Sequence, residues 1–264
     1  MLEITNLHKT FNKGLITEKK AIIDVSLSIN DGDFITVIGG NGAGKSTLLN
    51  LISGVHLADS GKIMLGDINI TNLPEYKRAK FFGRVFQDPM MGTSASMEIQ
   101  ENLALAYRRG KKRTLRWEIT KQEKELFYQQ LKLLGLGLED RLTNKVGLLS
   151  GGQRQALTLL MATLRKPKML LLDEHAAALD PKTALKVQHL TEQITSEHNL
   201  TTLMVTHNMK DAIRYGNRLI MMHNGMIIYH VEGEEKSKIT VPDLMAKFEE
   251  SVGENFVSDR MLLA

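Results

Sequence analysis

The stretch that decides the fold is Phe34-Ile-Thr-Val-Ile-Gly-Gly-Asn-Gly-Ala-Gly-Lys-Ser-Thr47. It opens with a short apolar, β-branched run that reads as a buried strand. Residues 39–47 then fit the pattern G-x-x-x-x-G-K-[ST], with Gly39, Gly44, Lys45 and Ser46 in the fixed places. Gly39, Gly40, Gly42 and Gly44 let the backbone curl through positive φ. They bring N–H groups onto an anion with no Cβ in the way. Asn41, Ala43 and Thr47 complete the loop. A helix from about Lys45 to Ile52 points its positive end at the same anion. Lys45 can reach the β- and γ-phosphates of a nucleotide, and Ser46 can offer a hydroxyl to Mg²⁺. Strand, loop and helix in this order make a chance Gly-rich turn a poor explanation.

Further along, Met169-Leu-Leu-Leu172 is a second buried-strand run, and it ends in Asp173-Glu174. Parallel sheets place ligands beyond the carboxyl ends of their strands. Successive strand residues point to opposite sides, so the two acids are expected to have different jobs. Asp173 is read as the Mg²⁺-side carboxylate, and Glu174 as the base that polarises an attacking water. Thr201-Thr-Leu-Met-Val205 delivers Thr206-His207. A lone His after a strand is usually structural, but this one is expected at the same sheet edge, within reach of a γ-phosphate. Gln87 follows Gly83-Arg-Val-Phe86, and its amide can touch Mg²⁺ or the attacking water.

Leu149-Ser150-Gly151-Gly152-Gln153 is a second anion-type loop. Ser150 is a good N-cap for a helix to about Arg165, before Pro167, and the glycines are expected to expose N–H groups. A capped helix is the bland reading. One triphosphate does not need two such loops, so either there is another ligand or another copy of the protein completes the site.

With these motifs in place, the sequence resembles the nucleotide-binding subunit of ATP-binding cassette (ABC) transporters, from Leu2 to about Val231. The phosphate loop, Gln87, the signature at 149–153, Asp173-Glu174, Ala178-Leu179-Asp180 and His207 come in the family's order. The resemblance implies an α/β fold: a phosphate-loop NTPase core with a mainly parallel sheet, an N-terminal antiparallel β lobe and a helical subdomain. It implies ATP hydrolysis with Mg²⁺ held by Ser46, Gln87 and Asp173, and catalysis by Glu174, His207, Gln87 and Lys45. It further implies a head-to-tail dimer. ATP would lie between the phosphate loop of one copy and Ser150, Gly151, Gly152 and Gln153 of the other, with Asp180 nearby. Phe11 stands where the family puts an aromatic that stacks on adenine; a core Phe is the competing reading. Family members most often have Pro and then Ser or Thr after the catalytic Glu, whereas this chain has His175 and Ala176. His175 reads as a packing variant.

Composition bounds the rest. The chain has 264 residues, 42% hydrophobic and 24% charged, with no cysteine and a formal charge of +4. That excludes disulfides and thiolate metal sites and is too mild a charge to argue for nucleic acid. No apolar run approaches the ~18 residues of a membrane span, and the N-terminus shows no signal peptide. The expected place is the cytoplasmic face of the membrane, where separate permease subunits supply the pore and an extracellular substrate-binding protein acts with the complex. Arg108, Arg109, Lys111, Lys112, Arg113 and Arg116 form a basic run, read either as a solvated loop or as an anionic-membrane or nucleic-acid patch.

The expected organisation is an ATPase domain over 1–232, with a helical subdomain inserted at about 92–148, and a tail over 233–264. Asn224-Gly225 between apolar runs signals a type I′ hairpin. Thr240 and Asp243 resemble a capping box before a short tail helix, read either as surface packing or as a regulatory segment. A transport motor is the first functional reading. A soluble cassette acting on ribosomes or nucleic acid, and an ATP clamp without turnover, compete with it. A single phosphate loop, a single signature and no heptad run favour transport. The overall look is similar to ATPases of bacterial amino-acid importers, for tryptophan or tyrosine.

Overall fold

The computed structural model describes residues 1–111 and 118–252. Its elements in chain order begin with β1 (Leu2–Phe11), β2 (Lys19–Ile29), β3 (Phe34–Ile38), α1 (Lys45–Ser53), β4 (Ser60–Leu65), β5 (Ile68–Asn69) and α2 (Glu75–Arg78). Next come β6 (Phe82–Val85), α3 (Ile99–Tyr107), α4 (Lys121–Lys132), α5 (Gly151–Thr163), β7 (Met169–Asp173) and α6 (Pro181–Glu197). The chain closes with β8 (Thr202–Val205), α7 (Met209–Arg214), β9 (Arg218–His223), β10 (Met226–Glu232), α8 (Gly233–Lys238) and α9 (Val241–Val252). Residues divide into two compact units, Met1–Arg78 with Thr201–Ala264, and Ala79–Leu200.

In the first unit, β2-β1-β4-β5 form an antiparallel sheet. Alternation decides its faces: Ile22, Val25, Leu27 and Ile29 of β2 and Leu2, Ile4 and Leu7 of β1 are buried. A second layer has β3 between β8 and β9, parallel to both. β10 returns antiparallel to β9 through Asn224 (φ 46) and Gly225 (φ 80), the positive φ pair that a type I′ turn requires. Residues 233–252 pack on this unit. Thr240 N–H donates to the Asp243 carboxylate at 2.8 Å, which starts α9, and Leu244 and Phe248 are fully buried against Ile38, Met209 and Leu219.

The second unit holds the parallel pair β6 and β7. A Cβ at Gly83 would come within 2.5 Å of the Ala162 carbonyl, so this glycine sets how closely α5 packs on β6. Ile99 and Leu103 of α3, Phe127 and Leu131 of α4, and Leu157 and Leu160 of α5 bury one apolar cluster at helical spacing. The basic run at its edge is not a uniform solvated loop. Arg108 pairs with Glu123 at 2.9 Å, and Arg109 donates to the Ala162 carbonyl at 3.1 Å. Burial, and then the neighbouring Arg165, push the Arg109 pKa down. Lys111 lies over the Tyr107 ring at 4.2 Å. Lys112, Arg113 and Arg116 fall outside the described residues. Among the described residues, no helix is long and apolar enough to cross a membrane.

Candidate active site

The phosphate loop is built by close backbone approach. A Cβ at Gly39 (φ 151) would sit 2.2 Å from the Met222 carbonyl oxygen, and one at Gly44 (φ 103) 2.6 Å from that of Ala21. Only glycine fits both places. Gly225 N–H donates to the Ala43 carbonyl at 3.0 Å, so the β9–β10 turn braces the loop from outside. Lys45 is buried, its Nζ 2.6 Å from the Gly39 carbonyl oxygen and 3.1 Å from that of Gly40. The ammonium thus closes a ring around the loop. Asn41, Gly42 and Ser46 are exposed at its mouth, and Thr47 is half-buried. Gly44 caps α1 without any side-chain hydrogen bond, and the first turn carries no acidic residue. A helix start of this kind presents N–H groups and positive potential to an outside anion.

Parallel register brings His207 to the same edge of this unit. Val37 pairs with Val205, so Gly39 and His207 each lie two residues beyond matched positions. Thr206 N–H donates to the Val37 carbonyl at 3.1 Å, and Asn208 caps α7, which leaves His207 exposed between two anchored neighbours. Phe11 ends β1 paired with Lys19, half-buried, with its ring edge-on to His56 at 5.1 Å. It is outside the buried core, so the core reading for Phe11 fails.

The second unit repeats the register logic. Val85 of β6 pairs with Leu172 of β7, so Gln87 and Glu174 each follow two residues later. Gln87 is exposed, whereas Asp173 and Glu174 are half-buried. Arg84 Nη2 lies 3.4 Å from Asp173 Oδ2. Glu174 has φ 46, a left-handed conformation uncommon for a non-glycine residue. Ala177 N–H donates to its carbonyl at 2.9 Å and closes the turn.

At the signature, Ser150 Oγ accepts from Gln153 N–H at 3.3 Å, and Gln153 Oε1 accepts from Ser150 N–H at 3.2 Å. Ser150 is exposed, and so is Gly151, where an added Cβ would meet only Leu179 at 3.4 Å. Gly152 is not exposed as Gly151 is. It is buried, and its missing Cβ would sit 2.0 Å from Thr183 Cγ2, so packing against α6 accounts for it. Asp180 caps α6, accepting from Thr183 N–H at 3.1 Å, with Pro181 at the first helical position.

Two neighbours of the site escaped sequence reading. Arg84 is one; its alternation with Val85 on β6 was the available signal, placing it on the opposite side from the core. Gln155 is the other. It is buried, and its amide donates to the Phe86 carbonyl at 3.0 Å, which ties α5 to the segment ending in Gln87. His175, read as packing, is 4% exposed and hydrogen-bonded to Thr191 at 3.0 Å.

The family model described as "ABC transporter" matches residues 22–177. The chain belongs to the ABC transporter family. It is similar to a tyrosine transport ATP-binding protein of Clostridioides difficile, 48% identical over 252 residues that cover 96% of this chain and 100% of that one. It is 34% identical over 229 residues to a spermidine/putrescine import ATP-binding protein of Fusobacterium nucleatum, spanning 86% of this chain but only 56% of that longer protein. Among solved structures, a dimeric ATP-binding cassette in a post-hydrolysis state bound to ADP and Pi superposes with a TM-score of 0.75. That match is 27% identical and covers 88% of this chain and 98% of the other. The ABC fold expected from the motifs is therefore the fold observed, with its antiparallel β lobe, mostly parallel strands and helices. This ABC protein binds and hydrolyses ATP.

Proposed function

We propose that this ABC ATPase is the motor of an importer for an aromatic amino acid such as tyrosine. Two copies close head-to-tail on two ATP molecules. Each phosphate loop, with Gly39, Gly42, Gly44 and Lys45, faces the Ser150 loop of the other copy, and Phe11 carries the adenine. Membrane permease subunits form the path, an extracellular substrate-binding protein delivers the cargo, and the ATPase sits on the cytoplasmic face.

The observation that carries the dimer reading is the exposed start of α5. Gly151 is exposed, with only Leu179 at ordinary contact distance from where a Cβ would stand, and Ser150 is exposed while its hydroxyl oxygen caps the helix. A surface prepared for an anion, on a chain that already has a phosphate loop, fits the nucleotide of a second copy.

In the reaction proposed, Glu174 orients the attacking water, and Lys45, His207 and the partner's signature loop stabilise the charge that develops on the γ-phosphate. Mg²⁺ would be held by Asp173, Ser46 and Gln87, and when bound it supplies neutralising charge at the phosphates. The donor set fits that ion. Among the described residues, no cluster of three or more His, Cys, Asp or Glu could hold a metal by itself. Magnesium needs no such cage, since it takes one or two carboxylates plus phosphate and water oxygens.

The relative from C. difficile, full-length and nearly half identical, supports tyrosine transport. The test uses Glu174→Gln. It should retain ATP binding, run as an ATP-dependent dimer in size-exclusion chromatography with light scattering, and lose turnover. Purified from host membranes, it should carry a multi-span permease, and the same complex with the wild-type chain, reconstituted in proteoliposomes, should take up tyrosine when ATP is supplied. Normal hydrolysis by Glu174→Gln would remove Glu174 from its role. Recovery of ribosomes without a membrane chain would favour a soluble cassette.

A further inference from the structure

We propose that His175 is a positioning residue for Glu174, tying the turn that carries the carboxylate to α6 through Thr191. The proposal rests on Glu174 being the base named above.

Glu174 needs something to hold it. Its left-handed φ of 46 is not a resting conformation for a side chain of that size. A persistent conformation of this kind has to be over-determined by its surroundings. On its far side Ala177 N–H donates to the Glu174 carbonyl at 2.9 Å and closes the turn.

The side chain of His175 supplies a constraint from the next position. It is buried, and its Nε2 lies 3.0 Å from Thr191 Oγ1, itself 3% exposed. Thr191 commits its own proton to the Val187 carbonyl at 2.8 Å. The hydroxyl oxygen therefore accepts, and the imidazole donates from Nε2–H. This places a proton on Nε2, shared with Thr191. Donor and committed acceptor define one ring orientation, and the backbone of Glu174 is one bond away.

The tether also closes a loop. Glu174 leaves β7, Ala178-Leu179-Asp180 follow, and Asp180 caps the helix that carries Thr191. A displacement of α6 has two routes back to Glu174: along the main chain through Asp180, and directly through His175. The second route is short and buried, so it should set the carboxylate's place while nucleotide contacts elsewhere stay unchanged.

The experiment is steady-state ATPase kinetics on the full chain. Thr191→Val keeps the volume and removes the acceptor. Thr191→Ser restores it. His175→Leu fills the space without a donor, and His175→Gln returns an N–H to the place of Nε2. Thr191→Val and His175→Leu should each lower kcat by about tenfold with KM for ATP changed less than about twofold, since small misplacement of a catalytic group acts on turnover. Thr191→Ser and His175→Gln should recover most of the rate, and the double variant should be no slower than either single one. An unchanged kcat in Thr191→Val overturns the proposal. So does a multiplicative loss in the double variant, or a loss of kcat that tracks thermal stability across the set. Glu174→Gln is assayed alongside: if that variant turns over normally, the assignment of the base has failed, whatever the tether does.

Discussion

Arg84 and Asp173 face each other across neighbouring strands, guanidinium Nη2 to carboxylate Oδ2 at 3.4 Å, both side chains largely buried. The same Arg84 stacks its guanidinium over Phe86 at 4.5 Å. A cation therefore already occupies ground beside the carboxylate assigned to Mg²⁺. A charge pair at this distance is worth about 4 kcal/mol before desolvation at the effective dielectric of such sites, and a divalent ion must compete with it. Arg84→Gln should lower the Mg²⁺ concentration for half-maximal ATPase activity by roughly two- to tenfold, a range set by how much of that energy desolvation cancels. A magnesium titration at fixed ATP measures it, and a higher requirement in the variant would mean that Arg84 holds Asp173 in place instead of competing for it.

The two signature glycines should separate under mutation. Gly152→Ala drives a methyl to 2.0 Å from Thr183 Cγ2 and should destabilise the chain by about 1–3 kcal/mol, the ordinary range for overpacking. Gly151→Ala meets only ordinary contact with Leu179, so its stability should stay within about 0.5 kcal/mol of wild type. Its ATPase rate should nonetheless fall by about tenfold or more, because the obstruction lies on the face that the proposed dimer presents to the second copy's nucleotide. Thermal melts and turnover measured on both proteins decide this, and equal melting losses would place Gly151 in the internal packing.

Acid should expose the buried imidazole. The folded protein keeps His175 neutral down to about pH 4, whereas the unfolded chain protonates it near the usual 6.5. Between those values the unfolded state binds more protons, so stability rises with pH across the window and is lost as pH falls from 6.5 towards 4. The loss attributable to this group is at most about 3 kcal/mol. Denaturant melts at pH 7 and pH 4.5 should show a larger drop for wild type than for His175→Gln. Parallel pH curves would mean that the ring is not held neutral.

Lys236 predicts a purely structural effect far from the nucleotide. Its buried ammonium donates to the carbonyls of Ile213, Tyr215 and Gly216 at 2.9, 2.5 and 2.8 Å, closing the end of α7. Burial pushes its pKa down to about 8, against the three carbonyls, which favour the charged form. Lys236→Met keeps the stem and strands the acceptors, so the expected cost is about 2–3 kcal/mol. That should appear as a melting point lower by roughly 5–10 °C, with the KM for ATP unchanged.

Local grammar explains which parts were legible in advance. The phosphate loop, the Ser150 cap, Asn224-Gly225 and Thr240 with Asp243 are each decided within a few residues, by φ preference or by a side chain reaching its own backbone. The sequence therefore contains the whole cause, and each element formed where it was expected. Gly152 was half legible: its type signalled close approach, but whether to Thr183 or to an outside anion depended on where α6 packs. Arg109 was misjudged with its cluster, because charge says nothing about the direction its stem takes, and Ala162 lies far away in sequence. His175 with Thr191, Arg84 with Asp173, and Gln155 with Phe86 are all side-chain contacts between separate elements. No periodicity announces them.

Two hairpin turns of this chain look alike on paper, Gly66-Asp67 and Asn224-Gly225, and both would ordinarily count as safe places to add residues. Their surroundings make them opposites. At Gly66 an added Cβ would meet nothing within 4 Å. Gly225 is buried, bonded to Ala43 on one side and to Ile23 on the other, and an added Cβ would come within 2.8 Å of the Ala21 carbonyl. An epitope tag or fluorophore loop spliced at 66–67 should leave nucleotide affinity intact. The same cargo at 224–225 would pry out the brace behind the phosphate loop, so natural length variation among relatives should gather at the first turn and avoid the second.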